Sequence, residues 1–155
     1  VTGGSGLPTG VYEQLDALFR SDAYVGRIGA EIVDWSIGSA TIAATVQDDQ
    51  VNFVGVGHGG LLFSLADIGM SVVSNSEGRI SLAISFNIDF QRATRPGDRI
   101  LVAATTTSQT RRLSTHEVVA MVGDRQVGAG RGITYRTDDW LLGEDAWPDQ
   151  WRATH

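Results

Sequence analysis

The 155-residue chain contains no cysteine, which removes disulfide staples, thiolate metal sites and cysteine nucleophiles from consideration and suits a reducing compartment. It contains no lysine either, so every basic side chain is an arginine, whose planar fork is the better bidentate partner for phosphate. The three histidines, His58, His116 and His155, show no ligand spacing, and no metal is expected. No apolar run reaches the roughly 18 residues needed to cross a bilayer, and the first residues lack the charged-then-apolar order of a secretory signal. The expectation is a soluble, cytoplasmic protein with no membrane partner. A net charge of -6 denies it the positive footprint that a phosphate backbone requires, so nucleic acid is excluded as a partner. No Gly-x-Ser-x-Gly elbow presents a nucleophilic serine, and no internal repeat is visible.

What is present suits one domain with one core: 42% of the residues are hydrophobic, and the length is too short for two domains of ordinary size. Residues 1–10, with Gly3-Gly4-Ser5-Gly6, read as a flexible lead, and residues 11–136 as the domain. Residues 137–155 read as an acidic tail whose Trp140, Trp147 and Trp151 pack on the body or on a partner, with Pro148 opposing one uninterrupted helix. Charge is divided the same way, since residues 79–136 hold nine arginines against four acids and the tail holds five acids against Arg152.

Apolar periodicity predicts a short amphipathic helix over 11–19 through Val11, Leu15, Leu18 and Phe19, then strands near 28–36 and 40–47 joined at Gly38-Ser39. A helix over 60–74 is apolar around most of its circumference, as a buried helix is. Its polar exceptions Ser64, Asp67, Ser71 and Ser74 share one narrow stripe. From Ile80 to Phe90 every even position is apolar, which predicts a strand with one buried face. Turns at Arg95-Pro96-Gly97-Asp98 and Gly123-Asp124 separate further strands near 99–109, 113–122 and 127–136. Segregated strands with one buried helix indicate an α+β fold with a mainly antiparallel sheet. The run Gly128-Ala129-Gly130-Arg131-Gly132 is not a dinucleotide fingerprint, because strand residues and not a helix follow it.

The most informative stretch runs from Asn52 through His58-Gly59-Gly60 to Asp67. A helix start offers unpaired N–H groups and partial positive charge, which suit a developing oxyanion. A lone acid on an apolar helix is partly desolvated, which raises its pKa and strengthens it as a base or nucleophile. Read on its own, Asn52 also fits a loop-closing amide, and Gly59-Gly60 a tight turn into the helix.

Asn52 six residues before His58-Gly59-Gly60, then Phe63, Leu65-Ala66-Asp67, Asn75-Ser76-Glu77-Gly78 and Ile88-Asp89-Phe90 together resemble the hotdog-fold acyl-CoA thioesterases, in their phenylacetate-degradation (PaaI-like) branch. The resemblance covers roughly residues 24–136. It implies a long central helix wrapped by a curved antiparallel sheet, and a homodimer at minimum, usually a homotetramer. It also implies hydrolysis of an acyl-CoA, with aromatic phenylacetyl-type groups favoured and no cofactor, coenzyme A being part of the substrate. By resemblance Gly59 supplies an oxyanion-hole N–H, Asn52 polarises or orients the thioester, Asp67 is base or nucleophile, and His58 shapes the site. Gly60 adjoins the same turn. The hydroxyl that some relatives hold near the catalytic water falls at Ala83, so Ser81 or Ser85 takes its place or the water is held differently. Arg92, Arg111, Arg112 and Arg131 are candidate partners of the coenzyme A moiety. Two competitors are a non-catalytic acyl-CoA-binding hotdog module, which Asp67 argues against, and an enoyl-CoA hydratase, whose sites pair the acid with a histidine a few residues downstream, where this chain has none.

One spacing carries weight by itself. Gly59 and Asp67 are eight residues apart, about 12 Å along a helix, too far to serve one carbonyl together. A shared site therefore takes Gly59 and Asn52 from one subunit and Asp67 from another.

Overall fold

A 17-residue helix, α3 (Gly59–Asn75), is buried on ten of its positions, among them Leu61, Leu62, Leu65, Ile68, Met70 and Val72. The computed structural model describes residues 6–155 and wraps one six-stranded antiparallel sheet around that helix. The first five residues of the expected lead lie outside the described residues; Leu7 packs against the core. Before α3 come α1 (Val11–Arg20), a short α2 (Ala23–Arg27), and the hairpin β1 (Ala30–Ser36) and β2 (Ser39–Thr45). After it come β3 (Arg79–Phe90), β4 (Arg99–Gln109), β5 (Leu113–Val122) and β6 (Arg125–Trp140). The strand order is β1-β2-β4-β5-β6-β3, which leaves β1 and β3 at the two edges. This is the hotdog arrangement. No helix among the described residues is long and apolar enough to cross a membrane.

The helix lies against the sheet through Ile42, Ile100, Val102, Val118 and Ala120, all buried, and each large apolar side chain so buried contributes about 1.5–3 kcal/mol. The glycines of β6 set how closely it can approach. Gly128, Gly130 and Gly132 pair with Ala120, Val118 and His116 on the helix-facing side. A Cβ on Gly132 would run into the Met70 sulfur, and one on Gly130 would stand 2.7 Å from the Asn87 carbonyl oxygen. The glycine run is therefore a packing surface for α3 and β3.

β3 departs from its sequence pattern. A bulge at Ile84 separates Ala83, opposite Thr134, from Ser85, opposite Ile133. Thr134 and Gly132 are both buried on the helix side, so odd residues face the helix before the bulge and even residues, from Phe86 onward, after it. The even-numbered apolar set thus does not share one face, and Leu82 and Ile84 are 59% and 60% exposed on an edge strand that has no neighbouring strand on its outer side among the described residues.

β6 runs to Trp140 and so takes in the first four residues read from sequence as tail. Beyond it a 3-10 turn (Glu144–Ala146) and α4 (Asp149–Thr154) are separated at Pro148. Trp140, Trp147, Trp151 and His155 stack in series with centroids 5.4, 5.8 and 3.8 Å apart. The Trp147 and Trp151 indoles donate to the Leu141 and Glu77 carbonyls.

His116 of β5 is fully buried between the Thr106 and Thr134 hydroxyls, at 3.1 and 2.9 Å, and burial lowers its pKa to about 4. With the folded value below the ordinary one, the unfolded chain takes up a proton first as pH falls, so stability is lost between about pH 6.5 and 4, by up to about 3 kcal/mol. Denaturant unfolding across that window should show the loss. His116→Gln should flatten it, and an unchanged slope in that variant would contradict the assignment.

Candidate active site

Two cavities flank α3, and the residues singled out from sequence divide between them. The first, of about 270 Å³, surrounds the helix start and is lined by Asn52, His58, Gly59, Phe90 and Arg92 among others. The loop leading into it is tied down by backbone bonds from Asn52 N to Val56 O (2.8 Å), Gly57 N to Thr94 O (2.7 Å) and His58 N to Gln50 O (2.8 Å). His58 caps the helix, its Nδ1 accepting from Gly60 N at 2.9 Å, so its remaining ring donor is Nε2. Gly59 N–H, at the first helical position, donates to no described residue, and Gly59 lines the cleft. A Cβ on Gly59 would press on the Phe90 ring at 3.2 Å.

Asn52 does close its loop: Oδ1 accepts from Val54 N and Val56 N at 3.1 and 3.3 Å. That bonding fixes the amide and leaves Nδ2, a donor, without a partner among the described residues. Two donors, Gly59 N–H and Asn52 Nδ2, thus belong to one cleft.

The second cavity, of about 470 Å³, holds Asp67. Its walls come from α3 (Ile68, Ser71, Val72), the start of β3 (Ile80, Ser81, Leu82) and the α1–α2 segment. The Asp67 carboxylate forms no hydrogen bond or ion pair with a described residue, and burial alone raises its pKa above the usual carboxylate value. Ser81 is buried and lines this cavity, whereas Ser85 is exposed on β3 beyond the bulge.

The arginines are dispersed. Arg92 sits on the first cleft, its Nη1 donating to the Gln126 carbonyl at 2.6 Å. Arg125, overlooked in the sequence, is beside it, donating to the Ala93 carbonyl (3.0 Å) and Asp98 (3.3 Å). Arg111 and Arg112 occupy the β4–β5 turn, which β4 carries to the far end of the sheet from that cleft, and Arg112 is paired with Asp138 at 2.8 Å. Arg131 lies opposite Asn87 and Glu117 on the sheet face turned away from α3. Within one chain these three do not join Arg92. Gly60 opens on a third, smaller hollow with His58, Tyr24 and Ser64. Sequence reading also missed α2, although Asp22 signals it: its carboxylate caps the helix by accepting from Tyr24 N at 2.8 Å. Among the described residues no group of three or more His, Asp or Glu is placed to hold a metal ion.

Known proteins share the sequence pattern and the fold. The thioesterase superfamily profile matches residues 54–129. A Deinococcus radiodurans protein carrying the provisional name esterase is 34% identical over 102 residues, 66% of this chain and 69% of that protein. The acyl-coenzyme A thioesterase PaaI of Escherichia coli is 28% identical over 134 residues, 86% of this chain and 96% of that protein. The solved structure of E. coli PaaI, from the phenylacetic acid degradation operon, superposes with a TM-score of 0.78, covering 81% of this chain and 92% of that one.

The raised Asp67 pKa has a consequence for stability. As pH rises from the ordinary carboxylate value of 3.8, the unfolded chain ionises before the folded one, so the folded state loses stability until Asp67 has ionised in both. Asp67→Asn should therefore melt at a higher temperature than the parent at pH 7, and the gap should close below about pH 3.8. A lower melting temperature at pH 7 would show that the carboxylate is a structural partner.

Proposed function

The chain belongs to the thioesterase superfamily and is a PaaI-like thioester hydrolase, and from that premise we propose that it cleaves an aromatic, phenylacetyl-type acyl-CoA into free acid and coenzyme A. The observation that carries the mechanism is the division of the chemistry: a cleft with two free donors and a separate cavity with a desolvated, unpartnered carboxylate. Eight helical residues, about 12 Å, separate them within one chain. Two copies bring the Gly59 cleft of one against the Asp67 cavity of the other.

The surface of the single chain supports that pairing. Among the described residues β3 has a free outer edge over 12 residues, and it carries exposed Leu82, Ile84 and Phe90, with Phe63 of α3 also exposed. A long apolar strand edge is unfavourable in water and is covered in a dimer. Leu101 and Val119, exposed on the sheet, offer a second surface for a homotetramer.

In the shared site the thioester carbonyl oxygen lies on Gly59 N–H and Asn52 Nδ2, which stabilise the charge it acquires. Asp67 either takes a proton from water as the oxygen attacks the carbonyl carbon, or attacks that carbon itself to give an anhydride that water opens. In both routes the carbon–sulfur bond breaks, the free acid forms, and the sulfur leaves as thiolate and gains a proton. His58 fixes the helix start and Arg92 at the lip of the cleft meets the coenzyme A moiety. The aromatic preference rests on the phenylacetate association of the E. coli relative. A coenzyme A thioester substrate and a chain without cysteine support a cytoplasmic location.

Thiol release from a panel of aryl and fatty acyl-CoA substrates tests the proposal. Asp67→Ala should lower kcat by about 10²- to 10⁴-fold while melting cooperatively and keeping its oligomer size. Near-parental turnover in that variant would remove Asp67 from the mechanism. Thioester binding without release by the parent protein would favour the binding-module reading.

A further inference from the structure

The Asp67 cavity owes much of its lining to the α1–α2 segment, all of it upstream of the stretch that matches the superfamily profile. Leu18, Phe19, Tyr24 and Val25 stand there opposite Ile68 and Val72 of α3. The segment is held firmly. Asp16 of α1 accepts from Arg20 at 2.8 Å and from the Trp35 indole at 2.9 Å, and those two donors keep its carboxyl below the usual range. Tyr12 stacks on the Trp35 ring at 4.7 Å and Phe19 meets its edge at 5.1 Å.

Tyr24 is the most exposed of these lining side chains. Its ring is half exposed, yet its hydroxyl reaches across to Ser64 of α3 at 2.9 Å, one helical turn before Asp67. The ring therefore stands between the Asp67 cavity and the hollow that holds His58 and Gly60. A tethered aromatic with one face in water suits contact with a planar or apolar group entering beside it. The larger cavity holds Asp67 and is mostly apolar, which suits the acyl tail of a carbonyl carbon reacting there and leaves the smaller cleft to the pantetheine side.

We propose that the Asp67 cavity is the acyl pocket and that Tyr24, tethered to Ser64, is the wall that limits it to apolar acyl groups of aryl or medium-chain size. This rests on the thioesterase reading and adds a specificity-determining residue to it. Each methylene buried is worth about four-fold. Acetyl groups are therefore poor substrates, and groups longer than the wall allows are excluded.

The test compares parent, Tyr24→Phe and Tyr24→Ala proteins on acetyl-, hexanoyl-, phenylacetyl- and decanoyl-CoA, by kcat/KM and by affinity for the matching non-hydrolysable thioethers. The parent should favour phenylacetyl over acetyl by about ten-fold or more. Tyr24→Ala should move the decanoyl-to-phenylacetyl ratio about ten-fold towards decanoyl, and Tyr24→Phe, which keeps the ring and loses the tether, should fall between. Ratios within about two-fold of the parent in a Tyr24→Ala protein of parental melting temperature would overturn the inference. Absence of thiol release by the parent would count against the thioesterase reading alone, because the thioether affinities still report on the wall.

Discussion

A rigid helix keeps two reactive features of this chain apart. Gly59 begins α3 and Asp67 lies eight residues along it, and a continuous hydrogen-bonded helix holds them about 12 Å from each other whatever surrounds it. No side-chain rotation removes that distance. In the proposed mechanism, an acid and an oxyanion donor meeting at a single carbonyl would therefore come from two chains, and the two separate cavities follow the same division.

The rest of the fold keeps the helix in place and its acid poised. Glycines of β6 let α3 lie against the sheet, and apolar residues around Asp67 remove the water that would otherwise stabilise its charge. The same burial that raises the basicity of the carboxylate costs stability at neutral pH, an exchange that agrees with the role proposed for Asp67. Asn52 shows a related economy, since one amide oxygen rigidifies the loop while the amide nitrogen of the same group stays free.

Much of this was legible in the sequence where local patterning and local structure agree. The boundaries of α1, α3, β4 and β5 fall within a residue or two of the apolar periodicity, and the resemblance to PaaI-like thioesterases agrees with the comparisons. Failures came where tertiary context decides. The bulge at Ile84 inverts the faces of β3 without any local marker, and α2 is too short for periodicity to detect. The arginines were chosen by residue type, and residue type does not say that Arg111 and Arg112 lie at the far end of the sheet while Arg125 stands beside Arg92. The glycine run was read as strand and lies in β6, yet its role against Met70 and Phe86 needed the packed structure.

Mixing two inactive variants is the most direct measurement of the shared site. Gly59→Val blocks the cleft and Asp67→Ala removes the acid; each homodimer lacks one half of every site. When the two are unfolded together and refolded at equal concentration, random pairing gives half heterodimers with one complete site each, so thiol release should return to about a quarter of the parental rate. Activity no higher than that of the separate variants, in a mixture shown to have exchanged subunits, would mean that donor and acid serve within one chain, and the account would be wrong.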